Sequence, residues 1–317
     1  MRRLMVSDST AAVARRDALH APEEVVPLSR LDRIKAYVAL TKPRIVELLL
    51  VTTVPSMIVA ARGMPPLSLI LWTLLGGTLA AGGANAINCY VDRDIDEVMP
   101  RTRRRPLPMH RVAPRAALTF GVVLGAVSFA LMWATVNLVA ASLALAALLF
   151  YVFIYTIALK RSTPQNIVIG GAAGAVPVLV GWAAVTGTVE LPAVALFGIV
   201  FYWTPPHFWA LALRYERDYA SAGVPMMPVV YGRDETVKHI LLYSFLLLAV
   251  CLAFFSVGRM GLIYLTAALV LNACFIGLAV RLQRRPEPRI AWDLFRFSIY
   301  YLALLFAAAA ADQLVAL

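Results

Sequence analysis

Nine runs of about 20 mostly apolar residues recur along the chain, at 45–61, 67–91, 116–136, 138–159, 166–186, 191–213, 239–257, 262–280 and 294–316. Most are bounded by charge or by Gly and Pro. Wound as a helix, a run of that length matches the hydrocarbon core of a bilayer. With 61% of its 317 residues apolar and only 15% charged, the chain has little left with which to cover a soluble surface. The expected fold class is therefore all-α, a polytopic membrane protein of nine transmembrane helices. Residues 1–37 are polar and are expected to form a disordered tail, with the membrane domain covering 38–317. The tail carries Arg2, Arg3, Arg15 and Arg16 but no apolar segment of its own before the first span, so a cleaved secretory signal is not expected. Interspersed Asp8, Asp17, Glu23 and Glu24 argue against a mitochondrial transit peptide.

Charge sets the orientation, because Lys and Arg accumulate on the cytoplasmic side. With the N-terminus inside, only Arg62 and Arg259 of the 29 basic residues fall outside. The expected topology is N-terminus cytoplasmic and C-terminus outside, in the plasma membrane of a bacterium. The net charge of +11 is thereby accounted for without nucleic acid. Cys89, Cys251 and Cys274 show no C-x-x-C spacing and read as small packing residues.

Outside connections are short, whereas the inside loops after the second and sixth spans run to roughly 25 residues; long loops carry function. The two loops lie four helices apart, each with acids and arginines followed by Pro and Met, which suggests a parallel repeat of a four-helix unit with the ninth helix appended.

The first of these loops begins in NCYVDRDIDEVMPRTRRRP, Asn88 to Pro106. At about 100° per residue, a helix continued through it places Asn88, Asp92 and Asp96 on one stripe, with Asp94 on the opposite side. Asp94 and Glu97 are expected to face solvent or to pair with arginines. Stacked carboxylates repel, and a hard divalent cation offsets that cost; Mg²⁺ binds through one or two carboxylates together with phosphate oxygens of a substrate. Arg101, Arg103, Arg104 and Arg105 follow between the helix breakers Pro100 and Pro106, placed to fold guanidinium groups toward a phosphate. Anchoring to anionic lipid is the alternative use of such arginines. An acid–Mg²⁺–diphosphate site at the mouth of an apolar bundle implies a substrate with an anionic head and a hydrocarbon tail, and the reaction class prenyl transfer. A secondary transporter would place its charged site near the midplane rather than at one interface.

The spacing N88-x-x-x-D92-x-x-x-D96 resembles the first aspartate-rich motif of the UbiA superfamily of intramembrane prenyltransferases. The resemblance runs from about Leu40 to the ninth span. LTKPRI (Leu40 to Ile45), MPRTRRRPL (Met99 to Leu107), LKRSTPQNIVIGGAAGAVPVLVGW (Leu159 to Trp182), WTPPHFWALAL (Trp203 to Leu213) and DYASAGVPMMPV (Asp218 to Val229) narrow it to the branch that farnesylates protohaem IX. The resemblance implies a nine-helix bundle around a central cavity. It further implies Mg²⁺-dependent transfer of farnesyl from farnesyl diphosphate to a vinyl group of protohaem IX, with addition of water and release of diphosphate. The product would be haem O, destined for terminal oxidases, with a haem A synthase or an oxidase assembly factor as the expected partner. Another aromatic or tetrapyrrole acceptor is the alternative.

Residue by residue, the resemblance places Asn88, Asp92 and Asp96 at the metal and among the catalytic groups, with Arg101 and Arg105 on the diphosphate. Lys160, Arg161, Asn166 and Arg214 are further diphosphate candidates, although Lys160 and Arg161 also suit a snorkelling anchor. Asp218 matches the second acidic motif and joins the catalytic set. The chain departs from the wider family here, with Arg214 where a second D-x-x-x-D would begin. Asp218 is then left to share the ion, to orient Arg214 or help quench the cation, or to form a structural pair with Arg214. Of four histidines, His207 lies inside the sixth span beside Pro205 and Pro206 and is the expected haem contact; a satisfied interhelical hydrogen bond is the alternative.

Overall fold

A backbone in hydrocarbon must bond its own amides and carbonyls, so long apolar segments become helices. The computed structural model describes residues 29–315, with the side chains of all of these except 44–50. Most of the expected tail, 1–28, including Arg2, Arg3, Arg15, Arg16 and His20, lies outside the described residues. The helices are α1 (Arg30–Leu40), α2 (Pro43–Ala61), α3 (Leu67–Val91), α4 (Arg93–Val98), α5 (Pro114–Thr135), α6 (Leu138–Leu159), α7 (Asn166–Thr186), α8 (Leu191–Arg214), α9 (Glu216–Ser221), α10 (Met227–Val257), α11 (Leu262–Arg284) and α12 (Pro288–Val315). Among the described residues, eight of these, of 21 to 31 residues, are long and apolar enough to cross a membrane, and the 19-residue α2 carries a shorter apolar stretch, Val51–Ala61, where the first of the nine expected spans lies. The chain is a polytopic membrane protein.

Helix starts follow local chemistry. Proline stands at the first or second position of α2, α5, α8 and α10, where its missing amide costs nothing. Asn137 caps α6 by accepting from Ala140 N at 2.8 Å, while its Nδ2 donates to Ala183 O on α7 at 2.8 Å, tying two hairpins together.

Three boundaries differ from the hydropathy expectation. The last part of the expected tail, from Arg30, is helical, with Ser29 Oγ accepting from Asp32 N at 3.1 Å. The seventh span begins at Met227 rather than near 239, breaking once at Gly232 (φ 78), and the ninth begins at Pro288 rather than near 294. In both, charged residues, Arg233, Asp234, Glu235 and Lys238 in α10 and Arg289 and Asp293 in α12, interrupt the hydropathy signal near the helix start although the helix runs through them, and hydropathy reads only the uninterrupted apolar part. The last turns of α6, Phe150–Leu159, are wound as a π-helix.

The membrane inverts the soluble pattern. Leu71, Trp72, Leu75, Val122, Val123, Leu262 and Leu269 are bare on the outside, while small and polar residues sit between helices. Helices α3 and α5 meet at Gly83 and Gly121, where a Cβ on Gly83 would fall 2.7 Å from Gly121 O; Ser128 Oγ donates to Gly76 O at 2.7 Å beside them. Helices α8, α10, α11 and α12 enclose the larger core, centred on Trp209, Phe254, Tyr264, Phe275 and Tyr301. Both long loops open with a six-residue helix, α4 after α3 and α9 after α8, four spans apart.

Candidate active site

Helix α3 bends at Asp92 (φ −87, ψ 5) but keeps its hydrogen-bond ladder, with Asp92 N bonded to Asn88 O and Asp96 N to Asp92 O, both at 2.9 Å. The period therefore survives the bend, and the acids separate by face. Asn88, Asp92 (0% exposed) and Asp96 (1%) are buried together. Asp94 is exposed, its side chain 60% accessible, and Glu97 is exposed too.

Each member of the stripe has a cationic partner from another part of the chain. Arg105 Nη1 donates to both oxygens of Asp96, at 2.9 and 2.7 Å. It is brought there by the turn after Pro100, in which Thr102 Oγ1 donates to Asp96 O at 3.0 Å and Arg105 N to Thr102 O at 2.9 Å. Lys160 Nζ donates to Asp92 Oδ2. Asn88 accepts from Lys42 Nζ at 2.7 Å and donates to Asp92 Oδ2 at 2.7 Å and Thr156 Oγ1 at 3.1 Å. Asp92 Oδ1 accepts no hydrogen bond, and Arg161 Nη2 lies 3.7 Å from it.

The π-helical turns explain how α6 reaches the stripe. Thr156 Oγ1 donates to Tyr151 O at 2.8 Å and Lys160 N to Tyr155 O at 2.8 Å, each spanning five residues. In an α-helix Tyr155 and Lys160 would stand about 140° apart. The wider winding instead turns Tyr151, Tyr155, Thr156 and Lys160 all toward α3 and the space beside it.

That space is a cavity of about 340 Å³. Lys42, Asn88, Asp96, Arg101, Arg105 and Lys160 line its charged end, with Tyr151, Tyr155 and Tyr219 beside them. The rest is apolar and largely made of small residues, Gly77, Ala80, Ala81 and Ala84 on α3 facing Gly170, Gly171 and Gly174 on α7. Lys42 reaches the cavity from a left-handed backbone (φ 52, ψ 63) just before Pro43, a conformation that costs on the order of 1 kcal/mol for a side chain with a Cβ. Removal from water pulls its ammonium down from 10.5 to about 8. Burial pushes the Tyr219 phenol up, keeping it neutral.

Other expected site residues stand elsewhere. Arg161 forks onto Asp94, with Nη1 and Nη2 each 2.7 Å from a carboxylate oxygen, and this hydrogen-bonded pairing holds Asp94 down at about 2. Asn166 is buried at the first position of α7, donating to Thr163 O at 2.7 Å, and does not line the cavity. Arg214 lies over the Trp292 ring at 4.6 Å instead of pairing with Asp218, whose α9 position is half-buried and off the cavity wall. His207 is not brought to the cavity either. Its Nδ1 is 2.6 Å from Ser298 Oγ, whose hydroxyl donates to Phe295 O at 2.6 Å, so Nδ1 carries the proton. The ring stacks between Trp203 and Phe295 at 4.3 and 4.7 Å, an interhelical bond within α8 and α12 packing.

Sequence reasoning missed Lys42, Tyr151, Tyr155 and Tyr219. Lys42 had a signal in the Lys–Pro pair opening the first span, since a residue before proline is kept out of the α region. Tyr219 had one in its place within DYASAGVPMMPV, next to Asp218, whereas Tyr151 and Tyr155 had none beyond their aromaticity.

The donor set is all oxygen, with one buried carboxylate oxygen lacking a hydrogen bond, which fits Mg²⁺ and not a thiolate or imidazole metal. Cations ring an acid stripe at one end of a greasy cavity, the arrangement suited to a lipid diphosphate.

Comparison with known proteins agrees. Residues 49–306 match the UbiA prenyltransferase family. A protoheme IX farnesyltransferase of Parafrankia sp. is 55% identical over 298 residues, covering 92% of this chain and 95% of that protein. One from Saccharopolyspora erythraea, protoheme IX farnesyltransferase 1, is 52% identical over 312 residues and 98% of both. Among solved structures, a digeranylgeranylglyceryl phosphate synthase superposes with a TM-score of 0.75 at 18% identity, covering 90% of this chain and 99% of that one. A UbiA homolog from Archaeoglobus fulgidus, bound to GPP and Mg²⁺, does so with a TM-score of 0.60 at 18% identity, over 86% and 99%. With residues 49–306 matched to the family and relatives more than 50% identical over most of its length, the chain belongs to the UbiA prenyltransferase family.

Proposed function

We propose that the chain transfers the farnesyl group of farnesyl diphosphate to a vinyl group of protohaem IX, adding water to give haem O and diphosphate. The observation that carries this reading is the stripe of Asn88, Asp92 and Asp96, faced by Arg105, Lys160 and Lys42 at the end of an apolar cavity. The names of relatives 55% and 52% identical over nearly the whole chain support the substrates.

Asn88, Asp92 and Asp96 would hold Mg²⁺, which when bound neutralises the diphosphate and makes it a better leaving group. Arg105 and Lys160 occupy the carboxylates here and lie on the cavity, so both are placed to turn from Asp96 and Asp92 to phosphate oxygens when substrate enters. Arg101 lines the same end, its guanidinium 5.5 Å above the Tyr215 ring, and is a further contact. As the C1–O bond breaks, positive charge spreads over the allylic group. Tyr151, Tyr155 and Tyr219, which line the cavity beside the charged end, would stabilise it through their rings. The vinyl π bond then attacks C1, leaving a cation next to the porphyrin, and water adds there with loss of a proton. Asp218 stands beside Tyr219 but off the cavity wall, and would take up that proton through an intervening water and not by direct contact. Arg161, forked onto Asp94 and 3.7 Å from Asp92 Oδ1, and Asn166, whose Nδ2 donates to Thr163 O, would steady the rim around Asp92 and the start of α7.

The reading places the charged end of the cavity on the cytoplasmic side of a bacterial plasma membrane, with the N-terminus inside, following the basic residues. The test is substrate dependence. Purified protein with Mg²⁺ should consume farnesyl diphosphate only when protohaem is present, and chelation should stop it; consumption with 4-hydroxybenzoate instead would sink the acceptor assignment.

A further inference from the structure

Most glycines facing other helices here are explained by packing. A Cβ at Gly83 would fall 2.7 Å from Gly121 O, at Gly171 2.8 Å from Thr204 Cγ2, and at Gly181 2.6 Å from Thr53 O. Gly77 and Gly174 are different. Both sit inside spans, where glycine is the poorest helix former after proline. Neither has a left-handed backbone, and a Cβ added at either would meet nothing within 4 Å. Both line the cavity. Helix packing and backbone conformation therefore leave these glycines unexplained, whereas the cavity explains both, because any side chain there would project into it.

Their depth gives the space a use. Gly77 lies eleven residues before Asn88 on α3, about 16 Å along the axis, and Gly174 lies eight residues into α7 from Asn166, about 12 Å. That is about the reach of an extended chain of three isoprene units from a diphosphate at the charged end. Farther from the charged end the lining continues with larger side chains, Thr73 and Leu74 on α3 and Pro177 and Val180 on α7.

We propose that Gly77 and Gly174 set the length of isoprenoid chain that the cavity admits, by leaving room for the terminal isoprene unit of a linear allylic diphosphate. The proposal rests on the prenyl-transfer reading of the site. The two glycines are specificity-determining residues that touch the tail and not the reacting carbon, so their substitution selects between tail lengths and spares the chemistry.

The test is binding of farnesyl and geranyl diphosphates, with Mg²⁺, to the full-length protein in nanodiscs, measured by titration without acceptor. Gly77→Leu and Gly174→Leu should each shift the ratio of dissociation constants toward geranyl by about 10-fold or more, the discrimination a few misplaced carbons give in an apolar pocket. Geranyl affinity should stay within a few-fold of the parent. Gly277→Leu on α11, where a Cβ also meets nothing within 4 Å but which does not line the cavity, should leave the ratio unchanged. Should a leucine variant fail to fold, Gly77→Val and Gly174→Ala should show the same shift in smaller measure. An unchanged ratio in folded variants, or equal loss of both ligands, would overturn the proposal. Parent protein binding neither diphosphate would overturn the prenyl-transfer reading with it, whereas selective diphosphate binding without haem turnover would sink only the acceptor.

Discussion

Lys42 Nζ donates to Asn88 Oδ1 at 2.7 Å, joining the turn before the first span to the acid stripe at the end of the second. Asn88 hands the constraint on, its Nδ2 bonding Asp92 Oδ2 at 2.7 Å and Thr156 Oγ1 at 3.1 Å. The amide is thus fixed with its oxygen toward the cation and its nitrogen toward the acid. A residue that looks like part of a membrane anchor instead sets the geometry of the candidate metal site.

Lys42→Met should lower kcat/KM for farnesyl diphosphate by about 10- to 100-fold, the effect of losing one hydrogen bond to a charged group. Steady-state turnover on folded protein checks this, and a change of less than two-fold would remove Lys42 from the site.

The same lysine predicts a pH limb. With its ammonium held down at about 8 by loss of hydration, Lys42 in the free protein discharges as pH rises through that value, and kcat/KM should fall above it. Unfolding is not the cause. The unfolded chain keeps its proton to about 10.5, binds more protons between the two values, and so loses ground to the fold as pH rises. Lys42→Arg should abolish the limb, because arginine stays charged. A limb that persists in Lys42→Arg belongs to another group.

The acids should rank by burial. Asp92→Asn leaves Lys160 without its counter-ion in a buried setting and removes a ligand, and Asp96→Asn does the same to Arg105; each should cost at least about 100-fold in kcat. Asp94→Asn breaks only a pair with Arg161 at the exposed rim and should stay within a few-fold. Parallel turnover assays decide this, and equal effects at 92 and 94 would contradict the division into faces.

Gly83→Val should destabilise the fold by about 1–3 kcal/mol, because the Cβ would meet Gly121 O at 2.7 Å where α3 and α5 touch backbone to backbone. Thermal unfolding in detergent reads this directly. A midpoint equal to the parent's would show that the two helices separate freely.

How much of this was legible follows from range. Helical period alone divided Asp92 and Asp96 from Asp94, because that division depends on residues four apart, and the bend at Asp92 preserved the ladder. Apolar length found the spans but not the starts of α10 and α12, where charged residues near the helix start, Arg233 to Lys238 and Arg289 to Asp293, break the apolar run but not the helix. Partners from distant segments were hidden. Lys42 stands 46 residues from Asn88, and Lys160 reaches Asp92 only through a π-helical winding with no marker in the sequence. Arg161, Arg214 and His207 carried the right chemistry but met Asp94, Trp292 and Ser298 instead of the cavity. Charge and ring type say what a side chain can bind, and tertiary packing decides which partner reaches it first.

The most direct measurement is the mass of haem extracted after purified protein is given protohaem IX, farnesyl diphosphate and Mg²⁺ in water enriched in oxygen-18. A new haem should appear, heavier than protohaem by one farnesyl group and one hydroxyl, with the heavy oxygen in the hydroxyl, and it should be absent in Asp92→Asn. Unaltered haem while farnesyl diphosphate is consumed on another acceptor would contradict it.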